Sequence, residues 1–287
     1  MSTTAQSVIP TRSFGARVQE SVAAQGRIVA GIDPHPPLLD AWGLPDDPRG
    51  LRVFARTMLK AATGRCAAIK PQSAFFERHG SRGTAVLEEL LADARERGVL
   101  TILDVKRGDI GSTMAAYADA HLRPGAPLEA DAITLSPFLG TGSLQPALDL
   151  ALEHGKGAFL LALTSNPDGP QVQHARTTGD TPIARVIAQF AEAHGHSADA
   201  TWGSVGLVVG ATVGSAFREL GLDRVAPTVP LLAPGFGAQG AGPAQMSEVF
   251  GSASARVLVS VSRSLAGAGP DPEALSERLI ELRAQHP

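Results

Sequence analysis

Eight short runs, nearly continuous in Ile, Leu, Val and Ala, recur along this chain, and segments of helical period fill the intervals between most of them. That alternation constrains the fold more than any other feature. The runs cover residues 27–33, 66–70, 99–105, 131–136, 158–164, 205–210, 229–234 and 256–261. Unbroken apolar runs of this length, rather than alternating ones, belong to strands covered on both faces, as in a parallel sheet. Between them, residues 49–63 place Leu51, Phe54, Ala55, Met58 and Leu59 on one helical face, and residues 84–97 do the same with Val86, Leu87, Leu90, Leu91 and Ala94. Segments 182–193 and 272–283 repeat the pattern, the latter with Asp271 placed as an N-cap and Pro272 at the first helical position.

Eight strands alternating with helices in 287 residues predict an α/β chain folded as a (β/α)8 TIM barrel. A doubly wound open sheet is the alternative. No linker rich in Pro, Gly or Ser divides the chain, so residues 1–287 read as a single barrel domain, with residues 1–12 a flexible N-terminal segment. The polar stretch 166–179 reads as an extended loop or lid after the fifth strand.

Composition removes several classes of function. Acidic residues number 28 against 25 Lys and Arg, for a net charge of −3, and no basic block occurs, so nucleic acid is not an expected partner. The single cysteine, Cys66, cannot form a disulfide within the chain and reads as a buried, inert thiol in a reducing compartment. The polar N-terminal stretch lacks the apolar core of a signal peptide, and no apolar run is long enough to cross a membrane. The expected setting is the cytoplasm.

A barrel gathers its chemistry at the C-terminal ends of its strands. Asp33 ends the first run, Lys70 the second, Asp104 and Lys106 the third, and Thr164-Ser165-Asn166 the fifth. Pro234-Gly235-Phe236-Gly237 ends the seventh, and Ser262-Arg263 the eighth. Residues two apart on a strand share a face, so Asp104 and Lys106 stand side by side, and Asp109 follows in the turn before a Gly-Ser-Thr helix start. Charges are costly to bury unless paired or used. One reading is a loop ion-pair cluster. The other is a proton-transfer site, where carboxylates keep a lysine charged and that lysine serves as general acid toward a carbanion. The carboxylates would also repel a substrate anion until it leaves.

Residues 235–240 match G-x-G-x-x-G after a strand, but no acidic residue ends the next strand to take a ribose, so a nicotinamide site fits poorly. A phosphate site fits better, with backbone N–H groups of the loop and the guanidinium of Arg263 as donors, although a plain tight turn remains open. Asp33, Lys70 and Ser165 are each weak signals alone, and no G-x-S-x-G elbow surrounds Ser165. His194 and His196 read as a solvated helix end, and no metal-ligand spacing is present. A Schiff-base role for Lys70 or Lys106 is open but disfavoured at Lys106, because flanking carboxylates favour the ammonium over a nucleophilic amine.

Taken together, these residues resemble the orotidine 5′-phosphate decarboxylase family. Asp104-x-Lys106-x-x-Asp109 with Ile110-Gly111-Ser112-Thr113 resembles its signature. Gly31-Ile32-Asp33-Pro34-His35, Ile69-Lys70-Pro71-Gln72 with Phe75-Phe76-Glu77, Thr164-Ser165-Asn166-Pro167, residues 233–240 and Ser262-Arg263 are similar to its other motifs, most closely in the longer bacterial subgroup. The resemblance implies a (β/α)8 barrel that converts orotidine 5′-phosphate to UMP and CO2 without metal or organic cofactor, as a homodimer with shared sites. It implies Lys106 as proton donor to C6 and Asp104 beside the departing carboxylate. Asp109 would reach the partner subunit's site, with Ile110 and Thr113 nearby. Asp33 and Lys70 would meet the ribose hydroxyls and anchor the charged network. Ser165 would address the pyrimidine. Gln239 and Arg263 would hold the phosphate in a loop shaped by Pro234 and Gly235, with Ser262 alongside. Within the lid, Gln173, His174 and Arg176 are candidates to close over the ligand. A magnesium-dependent sugar-phosphate decarboxylase or synthase on the same framework is the nearest rival. A nicotinamide-dependent oxidoreductase and a non-catalytic binder of phosphoribosyl ligands are more distant ones.

Overall fold

A computed structural model describes residues 12–196, 198–237 and 242–287. Eight parallel strands form one sheet: β1 (Ile28–Ile32), β2 (Ala68–Pro71), β3 (Ile102–Arg107), β4 (Ala132–Leu135), β5 (Gly157–Leu163), β6 (Val205–Val209), β7 (Leu231–Pro234) and β8 (Val257–Val261). Their order is β2-β1-β8-β7-β6-β5-β4-β3. Parallel bridges Ile69↔Thr101 and Gln72↔Asp104 join the two ends, so the sheet curls into a nearly closed barrel. The open-sheet alternative is thereby removed.

Helices of the predicted period cover the outside. α1 (Phe14–Gln25) precedes the first strand, and α2 (Pro48–Ala62), α3 (Gly80–Glu96), α4 (Gly111–Leu122) and α5 (Gln145–Glu153) follow the first four. α6 (Ile183–His194), α7 (Pro243–Phe250) and α8 (Pro272–Gln285) complete the ring. In α2 the five apolar residues named from the sequence are all buried. Asp271 caps α8, accepting from the Glu273 N–H, with Pro272 in the first turn as expected.

Two cores result. The larger lies between strands and helices. The smaller fills the barrel interior and includes Val29, Ala68, Ile102, Ala132, Phe159, Val208, Leu232 and Leu258. α1, which the sequence reading leaves unassigned, belongs to this inner core: Phe14 meets Phe159 edge-on at 6.0 Å and seals the barrel floor. Arg17 of the same helix reaches Asp131 at 2.5 Å and the Gly155 carbonyl at 2.8 Å. The N-terminal segment expected to be flexible lies outside the described residues except for Arg12, which pairs with Glu20 at 2.6 Å.

Two details depart from expectation. Cys66 sits just before β2 rather than within it, but it is buried as expected, and burial pushes its thiol up to about 12. The stretch 166–179 is not wholly irregular: it contains a helical turn, Pro170–Gln173, and Arg176 bridges Pro182.

Candidate active site

The inner core positions the site through the period of two. Ala68, Ile102 and Ala132 face inward at the middle of β2, β3 and β4. Two residues further along each strand come Lys70, Asp104 and Thr134, so these face the same axis one layer higher. There the apolar filling ends and a polar cluster begins.

Asp104 is its centre. One carboxylate oxygen, Oδ2, lies 2.5 Å from Lys70 Nζ and accepts from Gln72 Nε2 at 3.0 Å. The other, Oδ1, accepts from Lys106 Nζ at 2.6 Å and from the Thr134 hydroxyl at 2.8 Å. Burial alone would raise this carboxyl, but Lys70 and Lys106 outweigh burial and hold it well below the usual carboxylate range. Burial would lower Lys70, yet Asp104 and then Asp33 outweigh it and raise the ammonium. The cluster is therefore charged, ionic and fully hydrogen-bonded at its centre. A cavity of about 280 Å³ opens beside it, lined by Gln72, Phe75, Glu77, Asp104, Lys106 and Arg107 among others.

Lys106 corrects one expectation. It does not reach Asp104 as the next inward residue of a regular strand, because β3 is irregular here and Lys106 has a left-handed backbone, φ 45°. The lysine is consequently 46% exposed and stands at the cavity mouth, while Lys70 is only 10% exposed.

The other candidates lie on the same rim with different degrees of engagement. Asp33 follows β1, half-buried, and one of its oxygens is buried without a hydrogen-bond partner among the described residues. Ser165 is exposed just beyond β5. Pro234 ends β7 and Gly235 follows with φ 110°, a conformation that needs glycine. Gly237 packs so closely on Ser264 that a Cβ there would come within 2.7 Å of its hydroxyl. The β7 loop thus touches the turn that begins at Ser262 and Arg263 after β8. Arg263 is exposed, and its guanidinium pairs with no described residue. Gln239 lies outside the described residues.

Asp109, Ile110 and Thr113 do not join the Asp104 cluster of their own chain. Asp109 accepts the N–H of Ile110 at 2.8 Å and forms no ion pair with a described residue. Ile110 is 62% exposed, and Thr113 faces outward in the first turn of α4. Within the lid, Gln173 is committed elsewhere: its amide accepts from the Thr164 N–H at 2.9 Å and donates to the Thr164 hydroxyl at 2.7 Å, tying the loop to the end of β5. Arg176 is likewise tied within the loop, donating to the Asp180 carbonyl at 2.7 Å. Among the described residues no group of three or more His, Cys, Asp or Glu side chains is placed to hold a metal ion.

The sequence reading singled out neither Gln72 nor Thr134 as a site residue. Thr134 carried a usable signal, a hydroxyl two residues beyond inward-facing Ala132, in step with Lys70 and Asp104.

Comparison with known proteins establishes the family. The model of the orotidine 5′-phosphate decarboxylase / HUMPS family matches residues 47–279. The chain belongs to that family. Among orotidine 5′-phosphate decarboxylases, the protein of Salinispora arenicola (strain CNS-205) is 54% identical over 263 residues, covering 92% of this chain and 93% of that protein. The protein of Streptomyces coelicolor is 51% identical over 268 residues, covering 91% and 92%. A crystal structure from Streptomyces avermitilis, assigned as an orotidine 5′-phosphate decarboxylase, superposes with a TM-score of 0.91 at 48% identity, covering 99% of this chain and 97% of that one. The decarboxylase family is thus matched along nearly the whole barrel.

Proposed function

We infer that this chain decarboxylates orotidine 5′-phosphate to UMP and CO2, the step that completes UMP in pyrimidine synthesis, with Lys106 as proton donor and no metal or organic cofactor. The observation that carries the mechanism is one carboxylate, Asp104, held ionised between two ammoniums at the mouth of a cavity. The phosphate would sit at the β7 and β8 end, where the loop from Gly235 and the guanidinium of Arg263, unpaired among the described residues, offer donors, with Gln239 following in sequence. The ribose would lie toward Asp33 and Lys70, and Ser165 would face the pyrimidine. That leaves the C6 carboxylate near Asp104 and Lys106.

The chemistry follows from charge. Like charge between the substrate carboxylate and Asp104 is relieved when the C6–carboxyl bond breaks and its electron pair stays on C6. The ammonium of Lys106 stabilises that developing carbanion and then transfers a proton to C6. The resulting amine regains a proton from water, to which it is open. Phosphate and ribose contacts, remote from the reacting bond, hold the base against the charged cluster.

The same reading makes the protein a homodimer with shared sites. Asp109, Ile110 and Thr113 face away from their own cluster, and exposed apolar side chains accompany them: Ile110, Leu139 and Phe138, the last 76% exposed. A second copy would cover these and receive Asp109 in its site. A cytoplasmic location goes with a charged nucleotide substrate.

The deciding experiment is the loss of orotidine 5′-phosphate absorbance with pure protein and EDTA present. Turnover is expected at an unchanged rate; a requirement for magnesium would move the reading to the sugar-phosphate branch. Arg263→Ala is expected to raise KM about ten- to a hundredfold, the equivalent of about 1.5–3 kcal/mol for hydrogen bonds to a charged group. An unchanged KM would show that the phosphate binds elsewhere.

A further inference from the structure

We propose that Thr134 is a positioning residue of this reaction: its hydroxyl fixes the irregular end of β3 and so sets Lys106 against Asp104. The proposal rests on the reading of Lys106 as proton donor.

The β3–β4 ladder pairs Ile102 with Ala132 and Leu103 with Ile133, and it resumes only at Arg107 with Leu135. Asp104, Val105 and Lys106 therefore stand opposite Thr134 alone. Surplus residues in one strand lose their ladder partners, and buried N–H groups left so are costly. Thr134, buried on β4, replaces the missing strand partner with its side chain. Its Oγ1 accepts from the N–H of Val105 at 3.1 Å and from that of Lys106 at 3.0 Å. Its own hydrogen goes to Asp104 Oδ1 at 2.8 Å. A hydroxyl has one donor and two acceptor positions, and all three are used.

This matters because Lys106 is held in a left-handed backbone conformation, φ 45°, that a non-glycine residue rarely adopts. Beyond it the chain is refastened, with the Ser136 N–H donating to the Arg107 carbonyl at 2.8 Å. Thr134 grips the same Oδ1 that Lys106 grips, so one group fixes both the lysine's backbone and the oxygen its ammonium meets. Valine is similar in shape but can neither donate nor accept. Serine keeps the hydroxyl.

The test is steady-state kinetics of Thr134→Val and Thr134→Ser on orotidine 5′-phosphate, with thermal unfolding followed in parallel. The valine variant is expected to lose about ten- to a hundredfold in kcat with KM within about threefold of the parent, because phosphate and ribose contacts are untouched. The serine variant is expected to keep kcat within about threefold. Full kcat in the valine variant, an equal loss in serine, or a loss confined to KM overturns the proposal. Should the valine variant not fold, Thr134→Ala, which likewise can neither donate nor accept, takes its place, and full kcat there overturns the proposal equally. A parent that does not consume the nucleotide overturns the functional reading itself, whereas an active parent with an unaffected valine variant overturns this proposal alone.

Discussion

Protein carrying Lys106→Ala is expected to unfold within a few degrees of the parent and to lose about 10⁴-fold or more in kcat. The two halves of this result have separate causes. Lys106 is half-exposed at the cavity mouth, and its ion pair is one of four contacts to Asp104. Removing it leaves the carboxylate with Lys70, Gln72 and Thr134, so the stability cost is that of a partly exposed pair, about 1 kcal/mol at most. The kinetic loss is much larger because one ammonium does two things. General acids contribute about 10²–10⁴-fold, and a fixed charge aimed at developing negative charge about 10²–10³-fold. Both effects vanish with the same side chain. Absorbance assays give kcat, and circular dichroism gives the unfolding midpoint. A rate within tenfold of the parent would remove Lys106 from the proton transfer, and a large fall in midpoint would make it a structural residue.

The barrel was legible because its strands are buried on both faces. The apolar runs at 205–210 and 256–261 mark β6 (Val205–Val209) and β8 (Val257–Val261) to within a residue at either end. The run at 99–105 marks β3 less well, since the strand begins at Ile102 and continues through the charged Lys106 and Arg107. Apolar content cannot report that extension, because those residues lie above the layer where the core ends. α1 gives no clear periodic signal for a related reason: its buried face is short, just Phe14, Gly15, Ala16 and Val18, against the floor of the barrel.

The site was legible at the charges and not at their supports. Asp104, Lys106 and Lys70 stand out in an apolar strand because burying a charge is costly. Thr134 and Gln72 carry no such cost and look like ordinary strand and loop residues, yet they complete the hydrogen bonding of Asp104. The irregularity that turns Lys106 outward was hidden because it depends on register against β4, which is a property of two segments 30 residues apart. Gln173 shows the converse: a polar lid residue that looked available for ligand is spent on Thr164.

Asp104→Asn is expected to cost about 3–5 kcal/mol of stability, far more than loss of Lys106, and to abolish turnover as well. The asparagine can still meet the Thr134 hydroxyl, so size and shape are kept, and what is lost is the negative charge that partners Lys70. That ammonium is buried, and its 2.5 Å partner would be gone, leaving the more distant Asp33. The pH dependence follows with a definite sign. The Asp104 carboxyl is held below its unfolded value, so its contribution is complete above about pH 4 and is lost as the pH falls through the folded value. Lys70 is held above its unfolded value, so its contribution is complete below about pH 10.4 and is lost as the pH rises through the folded value. The deficit of Asp104→Asn should therefore span the whole plateau between those limits in urea unfolding. Adding Lys70→Met removes the stranded charge, since a buried pair replaced by apolar or neutral groups is often no less stable. The double variant should recover at least half of the lost stability while remaining inactive. A double variant no more stable than Asp104→Asn would mean that the damage lies in packing around residue 104 rather than in an unpaired ammonium. Recovery without activity would identify the charged cluster as a feature kept for catalysis at the expense of an easier, neutral barrel mouth.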